Sequence, residues 1–237
     1  MEDLNLTRWL LVSDVDGTLT GSDAGVLALA GMGVQVALVL NSSRPRESVV
    51  QTLDLLPPSL RITGLISAMG TEIHLAGAEQ PEWTERFADW DRKPVDAFMA
   101  RQGILPHRPE FQTPYKASFS VPPVRWPQFR RTVLDLAPGS QVITSGASDF
   151  DVIPAAAGKD KATQWVVGKL GFDPARVIVA GDSGNDLAMF HTARMAIAVG
   201  NARPELLERA DPNRTFFATE PHALGLIEGL KHWGVIR

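Results

Sequence analysis

The sequence contains no cysteine. That excludes disulfides, thiolate metal sites and a thiol nucleophile, and it is compatible with a reducing cytoplasm. Histidine is sparse: the five residues, at 74, 107, 191, 222 and 232, show no metal-ligand spacing, so a zinc site is not expected. An excess of positive charge is missing too. Lys and Arg number 23 against 27 Asp and Glu, a net charge of −4, which argues against nucleic acid or an anionic membrane as a partner. No apolar run reaches the roughly 20 residues that a spanning helix needs, because the candidate at residues 24–40 is interrupted by Gly25, Gly31, Gly33 and Gln35. The opening Met1-Glu2-Asp3-Leu4-Asn5 has neither the basic nor the apolar region of a secretory leader. The expectation is a cytoplasmic protein, monomeric or at most dimeric.

What is present is a regular alternation. With 237 residues, 44% of them hydrophobic, the chain can bury one large α/β core, or a core with a smaller unit inserted in it. Apolar runs at 9–12, 34–40 and 64–68 read as strands separated by helical stretches at 24–30 and 46–55, and each strand closes in a small polar loop. That texture predicts a parallel sheet whose ligands sit at the carboxyl ends of its strands. The rhythm stops near residue 76. It resumes past residue 157 with a helix at 160–170, a strand at 176–180, a helix at 187–192, a strand at 195–199 and helices at 204–209 and 222–232.

Between the two halves lies a proline-rich stretch. It reads as helical segments over 82–100 broken near Pro94, a strand at 115–121, an amphipathic helix at 126–136 and two strands at 141–144 and 150–154. The predicted organisation is a core of residues 1–76 and 158–237, split by an inserted α+β cap of residues 77–157. Within the insertion Trp83, Phe87 and Trp90 share one helical face, which reads as core rather than as a sugar-stacking platform.

The chemistry concentrates at strand ends. Asp14-Val15-Asp16-Gly17-Thr18 follows the apolar run Trp9-Leu10-Leu11-Val12, so two carboxylates two residues apart address one ligand. Such a pair needs a partner, and a hard cation carrying a phosphate is the natural one. Ser42, Lys159 and the pair Asp182 and Asp186 stand at the ends of other core segments. Together these types suit phosphoryl transfer through an aspartate. Asp14 supplies a nucleophilic carboxylate, and Asp16 protonates the leaving alkoxide and later takes a proton from water. The Ser42 hydroxyl, the amide of Ser43, Lys159 and Asn185 are candidate phosphate contacts. Asp182 completes a magnesium site with Asp14 and Asp16, and Asp186 either holds a metal-bound water or orients Lys159. Lys161 is close enough to exchange roles with Lys159.

In order, the pieces Asp-Val-Asp-Gly-Thr, Asn-Ser-Ser-Arg, a lone lysine before a helix, and Gly-Asp-Ser-Gly-Asn-Asp resemble the four motifs of the haloacid dehalogenase (HAD) superfamily of phosphatases. The resemblance implies a Rossmann-like HAD core, Asp14 as nucleophile, Asp16 as general acid/base, and Mg2+ bound by Asp14, the Asp16 backbone carbonyl and Asp182. A large insertion between the second and third motifs is similar to that of the sugar-phosphate phosphatases, and the chain looks most like the sucrose-phosphatase family. Gly70-Thr71-Glu72-Ile73, Pro114-Tyr115-Lys116-Ala117-Ser118, Ser145-Gly146 and Lys159 with Ala162-Thr163-Gln164 carry that likeness. It implies a small-molecule sugar phosphate as substrate, sucrose 6-phosphate first, with Gly70, Thr71, Glu72, Lys116, Ser145 and Asp149 reaching the sugar hydroxyls. Mannosylfructose phosphate, mannosyl- or glucosyl-3-phosphoglycerate and hexose phosphates are the alternative substrates, and a phosphomutase or a non-catalytic phospho-accepting or sugar-binding protein the alternative roles. The sequence departs from the pattern twice. The second motif, usually Thr-Gly-Arg, is Ser42-Ser43-Arg44, and the loop from Ser145 to Asp151 is one residue longer, which leaves the register between Asp149 and Asp151 open.

Overall fold

The computed structural model describes residues 9–32 and 36–237. The turn expected at Gly33 and the start of the second strand at Val34 and Gln35 lie outside them. In the first half, β1 (Trp9–Ser13), α1 (Asp23–Gly31), β2 (Val36–Asn41), α2 (Arg46–Leu53) and β3 (Ile62–Ser67) follow the predicted alternation. A hairpin, β4 (Glu72–Leu75) and β5 (Ala78–Glu79), then precedes α3 (Pro81–Thr84) and α4 (Lys93–Arg101). Next come β6 (Ala117–Ser120), α5 (Trp126–Leu136), β7 (Ser140–Ser145) and β8 (Asp149–Pro154). The chain closes with α6 (Lys159–Leu170), β9 (Val177–Gly181), α7 (Leu187–Thr192), β10 (Met195–Ala198), α8 (Pro204–Leu207), β11 (Thr215–Phe217) and α9 (His222–His232).

Eight strands form one sheet in the order β11-β10-β9-β1-β2-β3-β4-β5. The pairs from β11 to β3 are parallel, and the β4–β5 hairpin adds an antiparallel edge. The strand after β1 lies on one side of it and β9 on the other, so the chain reverses its direction of winding at β1. In an open α/β sheet that switch point opens a crevice at the carboxyl ends of the strands. Alternate residues feed opposite faces. Leu10, Val12, Val39 and Val179 join one apolar cluster, and Leu11, Leu38, Leu40 and Ile178 join another.

The second sheet is antiparallel, in the order β6-β8-β7. Phe119, Phe150 and Val142 on one of its faces pack with Val95 and Met99 of α4 and Phe129 and Val133 of α5. Lys116, Ser118, Asp149 and Asp151 fall on the opposite face by the same alternation.

Three features differ from the sequence expectation. Pro94 starts α4 rather than breaking a helix, because the first turn has no partner for the N–H that proline lacks. The β4–β5 hairpin was not expected: its two-residue loop is Ala76-Gly77, with positive φ at both positions, in place of the Asn-Gly or Asp-Gly pair that marks such turns. The edge strand β11 has three residues, too few for an alternation to show.

The aromatic stripe divides. Trp83 is fully buried in the cluster of the large sheet, where its Nε1 donates to Gly70 O (3.0 Å) and its ring lies 5.8 Å from that of Trp165. Phe87 meets it edge-on at 5.9 Å. Trp90 packs instead against the cluster of the small sheet and donates to Ser140 Oγ (2.8 Å). Trp83→Ala is therefore expected to lower the stability by about 3–5 kcal/mol, measured by urea denaturation. A midpoint unchanged from the parent would contradict this placement.

Candidate active site

β1 delivers Asp14 to the crevice, where its amide donates to Ala180 O of β9 (2.9 Å). The chain then turns sharply through Gly17 at φ +83°, where a Cβ would stand 2.8 Å from Asp182 Oδ2. Only glycine both adopts that conformation and lets the backbone pass the acid. Asp182 follows β9 directly, and the turn Gly184–Asp186 folds Asp186 back beneath it. Asp186 Oδ2 accepts hydrogen bonds from the amides of Asp182 (3.1 Å) and Ser183 (3.2 Å). α6 supplies Lys159 from its first position, and its Nζ donates to Asp14 Oδ1 (2.6 Å) and to Asp186 Oδ1 (2.7 Å).

Asp14, Lys159, Asp182 and Asp186 are all buried. Burial raises the pKa of Asp182 to about 6, and the neighbouring Asp14 carboxylate adds to the rise. Asp186 is raised by the same burial, with Lys159 opposing it. Burial would lower the Lys159 ammonium, but Asp14 and Asp186 outweigh it and hold the lysine above its ordinary value. One carboxylate oxygen from each of Asp14, Asp182 and Asp186 lies within 4.8 Å of the others. A set of oxygen donors around surplus negative charge suits a hard divalent cation.

Asp16 faces away from this cluster. Its half-exposed carboxylate accepts from Arg44 Nε at 2.7 Å. Desolvation raises its pKa, with Arg44 working against the rise. Arg44 is itself tied to Ser48 O and Thr52 Oγ1 of α2. Sequence reasoning left Arg44 out of the site although it is the third residue of the Ser-Ser-Arg motif. It also missed Asn41, whose buried amide donates to Lys159 O (3.0 Å) and Thr163 Oγ1 (3.1 Å) and so fastens β2 to α6. The visible sign was a polar residue closing an apolar strand. Ser42 is fully buried, its amide donates to Ile66 O and its Oγ accepts from the Arg44 amide. Lys161 stays outside, with an exposed side chain donating to Ala157 O.

The structure divides the predicted sugar contacts into two groups. Lys116, Ser145 and Asp149 line a cavity of about 170 Å³ together with Ser43, Arg44 and Asn185. Both acids of the longer loop face it: β7 pairs Ser145 with Asp149 and Ile143 with Asp151, so the two acids share one face and Phe150 takes the other. Gly70, Thr71 and Glu72 do not line that cavity. Gly70 packs so closely that a Cβ would lie 2.4 Å from the Gly158 backbone. Thr71 is fully buried with its hydroxyl on Ala68 O (3.0 Å). Glu72 accepts from Ser67 Oγ and the Arg46 amide, and borders a separate cleft.

The fold is shared with solved phosphatases of the HAD superfamily, among them a subclass IIB sugar phosphatase with a TM-score of 0.71 and 17% identity over 96% of this chain and 100% of that one. The sucrose-phosphatase of Synechocystis sp. PCC6803, in complex with sucrose and phosphate, matches with a TM-score of 0.87 and 27% identity over 96% of this chain and 98% of that one. The model of the sucrose-6F-phosphate phosphohydrolase family matches residues 7–234, and the chain belongs to that family. A mannosylfructose-phosphate phosphatase of Agrobacterium fabrum is 29% identical over 95% of this chain and 97% of its own length. Sucrose-phosphatase 1 of Nicotiana tabacum is also 29% identical, and the chain spans 60% of its length.

The Asp182 environment predicts a linked effect of pH. Its folded pKa of about 6 lies above the ordinary 3.8, so between those values the folded chain holds a proton that the unfolded chain has released. Its contribution to stability therefore falls as pH rises through that window. In metal-free solution Asp182→Asn is expected to melt at a higher temperature than the parent at pH 7.5, with a smaller difference at pH 4.5. A variant no more stable than the parent at pH 7.5 would contradict the charge crowding described here.

Proposed function

We propose that the protein hydrolyses the phosphate monoester of a fructose-containing disaccharide, sucrose 6-phosphate foremost. The observation that carries the reading is the buried Lys159 held between Asp14 and Asp186 at the switch point of the sheet. In this scheme Asp14 attacks phosphorus and forms an aspartyl phosphate while the sugar oxygen leaves. Asp16 gives that oxygen a proton, which requires its carboxyl to swing from Arg44 toward the cleft. A water then attacks the aspartyl phosphate, Asp16 accepts its proton, and phosphate departs. Lys159, Ser42, the Ser43 amide and Asn185 balance the charge on the phosphoryl oxygens. Asp14, Asp182 and the Asp16 carbonyl would hold Mg2+, with Asp186 fixing Lys159 beside it. The ion would supply electrostatic stabilisation of the transferring group.

The small sheet β6–β8 with α4 and α5 acts in this proposal as a cap whose polar sheet face closes over the sugar, whereas β5 and Trp83, inside the expected insertion of 77–157, pack with the large sheet. Family membership supports a phosphate on the fructose unit, and the Agrobacterium relative favours a second reading, mannosylfructose phosphate. The two substrates share that fructose half. Among the described residues no helix is long and apolar enough to cross a membrane.

Phosphate release is expected to require Mg2+ and to fall by about a thousandfold or more in Asp14→Asn. Across a panel of disaccharide, glycosyl-glycerate and hexose phosphates, the two fructosides are expected to lead in kcat/KM. A flat profile would defeat the substrate assignment and leave the phosphatase standing, whereas full activity in Asp14→Asn would sink the mechanism.

A further inference from the structure

The 170 Å³ cavity has a charge pattern that the phosphoryl chemistry does not use. Arg44 and Asn185 line it from the loops of the large sheet, and His107, Lys116, Asp149 and Asp151 from the small sheet and the segment leading into it. Lys116 and Asp151 are both buried and form an ion pair at 3.2 Å, so they neutralise each other. Asp149 adds a further negative charge, and its ion-pair contact is His107 Nε2 at 3.6 Å, longer than a hydrogen bond. The half-exposed Arg203 guanidinium approaches the same carboxylate, its Nη1 and Asp149 Oδ2 both lying beside Gly146.

The cavity offers unsatisfied hydrogen-bonding groups. Among the described residues five buried side-chain polar atoms lack a hydrogen-bond partner, and three of them belong to residues lining this one cavity: His107 Nε2, Asn185 Oδ1 and Asp151 Oδ1, the last already engaged in the ion pair with Lys116. Buried polar atoms are ordinarily paired, so such a concentration marks where a hydroxyl-bearing ligand completes the set. His107 is also fixed in place. Its amide donates to Ser118 O (2.8 Å), its carbonyl accepts from Gln112 Nε2 (3.1 Å), and its ring meets Phe111 edge-on. None of these contacts uses the imidazole nitrogens, so they hold the ring without consuming its function.

We propose that His107 is a specificity-determining residue, its Nε2–H and the Asp149 carboxylate together gripping a hydroxyl of an uncharged sugar ring on the cap side of the cavity. The hydroxyl accepts from His107 and donates to Asp149. The proposal rests on the phosphatase reading and adds to it which part of the substrate is checked and by what.

The test compares sucrose 6-phosphate with p-nitrophenyl phosphate, which has no sugar. His107→Ala is expected to reduce the ratio of kcat/KM for the disaccharide to that for the small ester about 10-fold, mainly through KM, as for one lost buried hydrogen bond. His107→Gln, which keeps a donor, is expected to recover part of that ratio. Equal losses on both esters, or no loss on the disaccharide, would overturn the proposal. Saturation-transfer NMR titrations with free sucrose and free mannosylfructose read the same contact without chemistry. Weaker binding of the sugar by His107→Ala supports the grip; unchanged binding, or no binding of either sugar by the parent, overturns it. Absence of Mg2+-dependent hydrolysis of both esters by the parent, with sugar binding still sensitive to His107, would instead remove the phosphatase reading alone.

Discussion

A single ammonium group holds the site together. Lys159 Nζ lies between Asp14 and Asp186 with almost no exposure to solvent, and three acids converge on the same small volume. Removing that ammonium would leave the three acids buried without compensation, which is ordinarily destabilising by about 3–5 kcal/mol. The backbone of the same residue is bound by Asn41 at the end of β2. Lys159 thereby joins the ends of β1, β2 and β9 through one side chain and one carbonyl. A parallel sheet brings those ends to one edge, and the lysine fixes the distances between them.

This arrangement separates the two acids that begin the site. Asp14 points into the buried cluster beside the lysine and Asp16 toward solvent and Arg44, so the two carboxylates meet different surroundings although only one residue separates them. The positive φ of Gly17 allows the chain to make that division within a few residues. In the proposed reading substrate choice is set elsewhere. The polar face of the small sheet supplies Lys116, Asp149 and Asp151, and their partners across the cavity are the loop after β2 and the turn after β9.

Much of this was legible in the chain. The acid pair after an apolar run, the lysine opening α6 and the acids after β9 each announce themselves by type and position, since strand ends and helix starts are where a parallel sheet can present charge. The aromatic stripe was legible only as apolar. That Trp83 belongs to one cluster and Trp90 to another follows from the end of the helical chain after Phe87, which leaves Trp90 outside any helix and which no helical periodicity records. The roles of Gly70, Thr71 and Glu72 were hidden for a different reason. Loop residues following a strand look alike in sequence whether they face a ligand or pack on the neighbouring backbone, and Gly70 packs against Gly158. Arg44 and His107 were passed over because their significance lies in partners 28 and 42 residues away, Asp16 and Asp149.

The central claim is that Asp14 is the group that receives the phosphoryl moiety. Rapid-quench mass spectrometry of the Asp16→Ala variant, mixed with sucrose 6-phosphate and Mg2+, tests it directly, because loss of the general base slows hydrolysis of the intermediate. The account predicts the added mass of one phosphoryl group on the peptide that contains Asp14. A phosphoryl group found on any other peptide would contradict it.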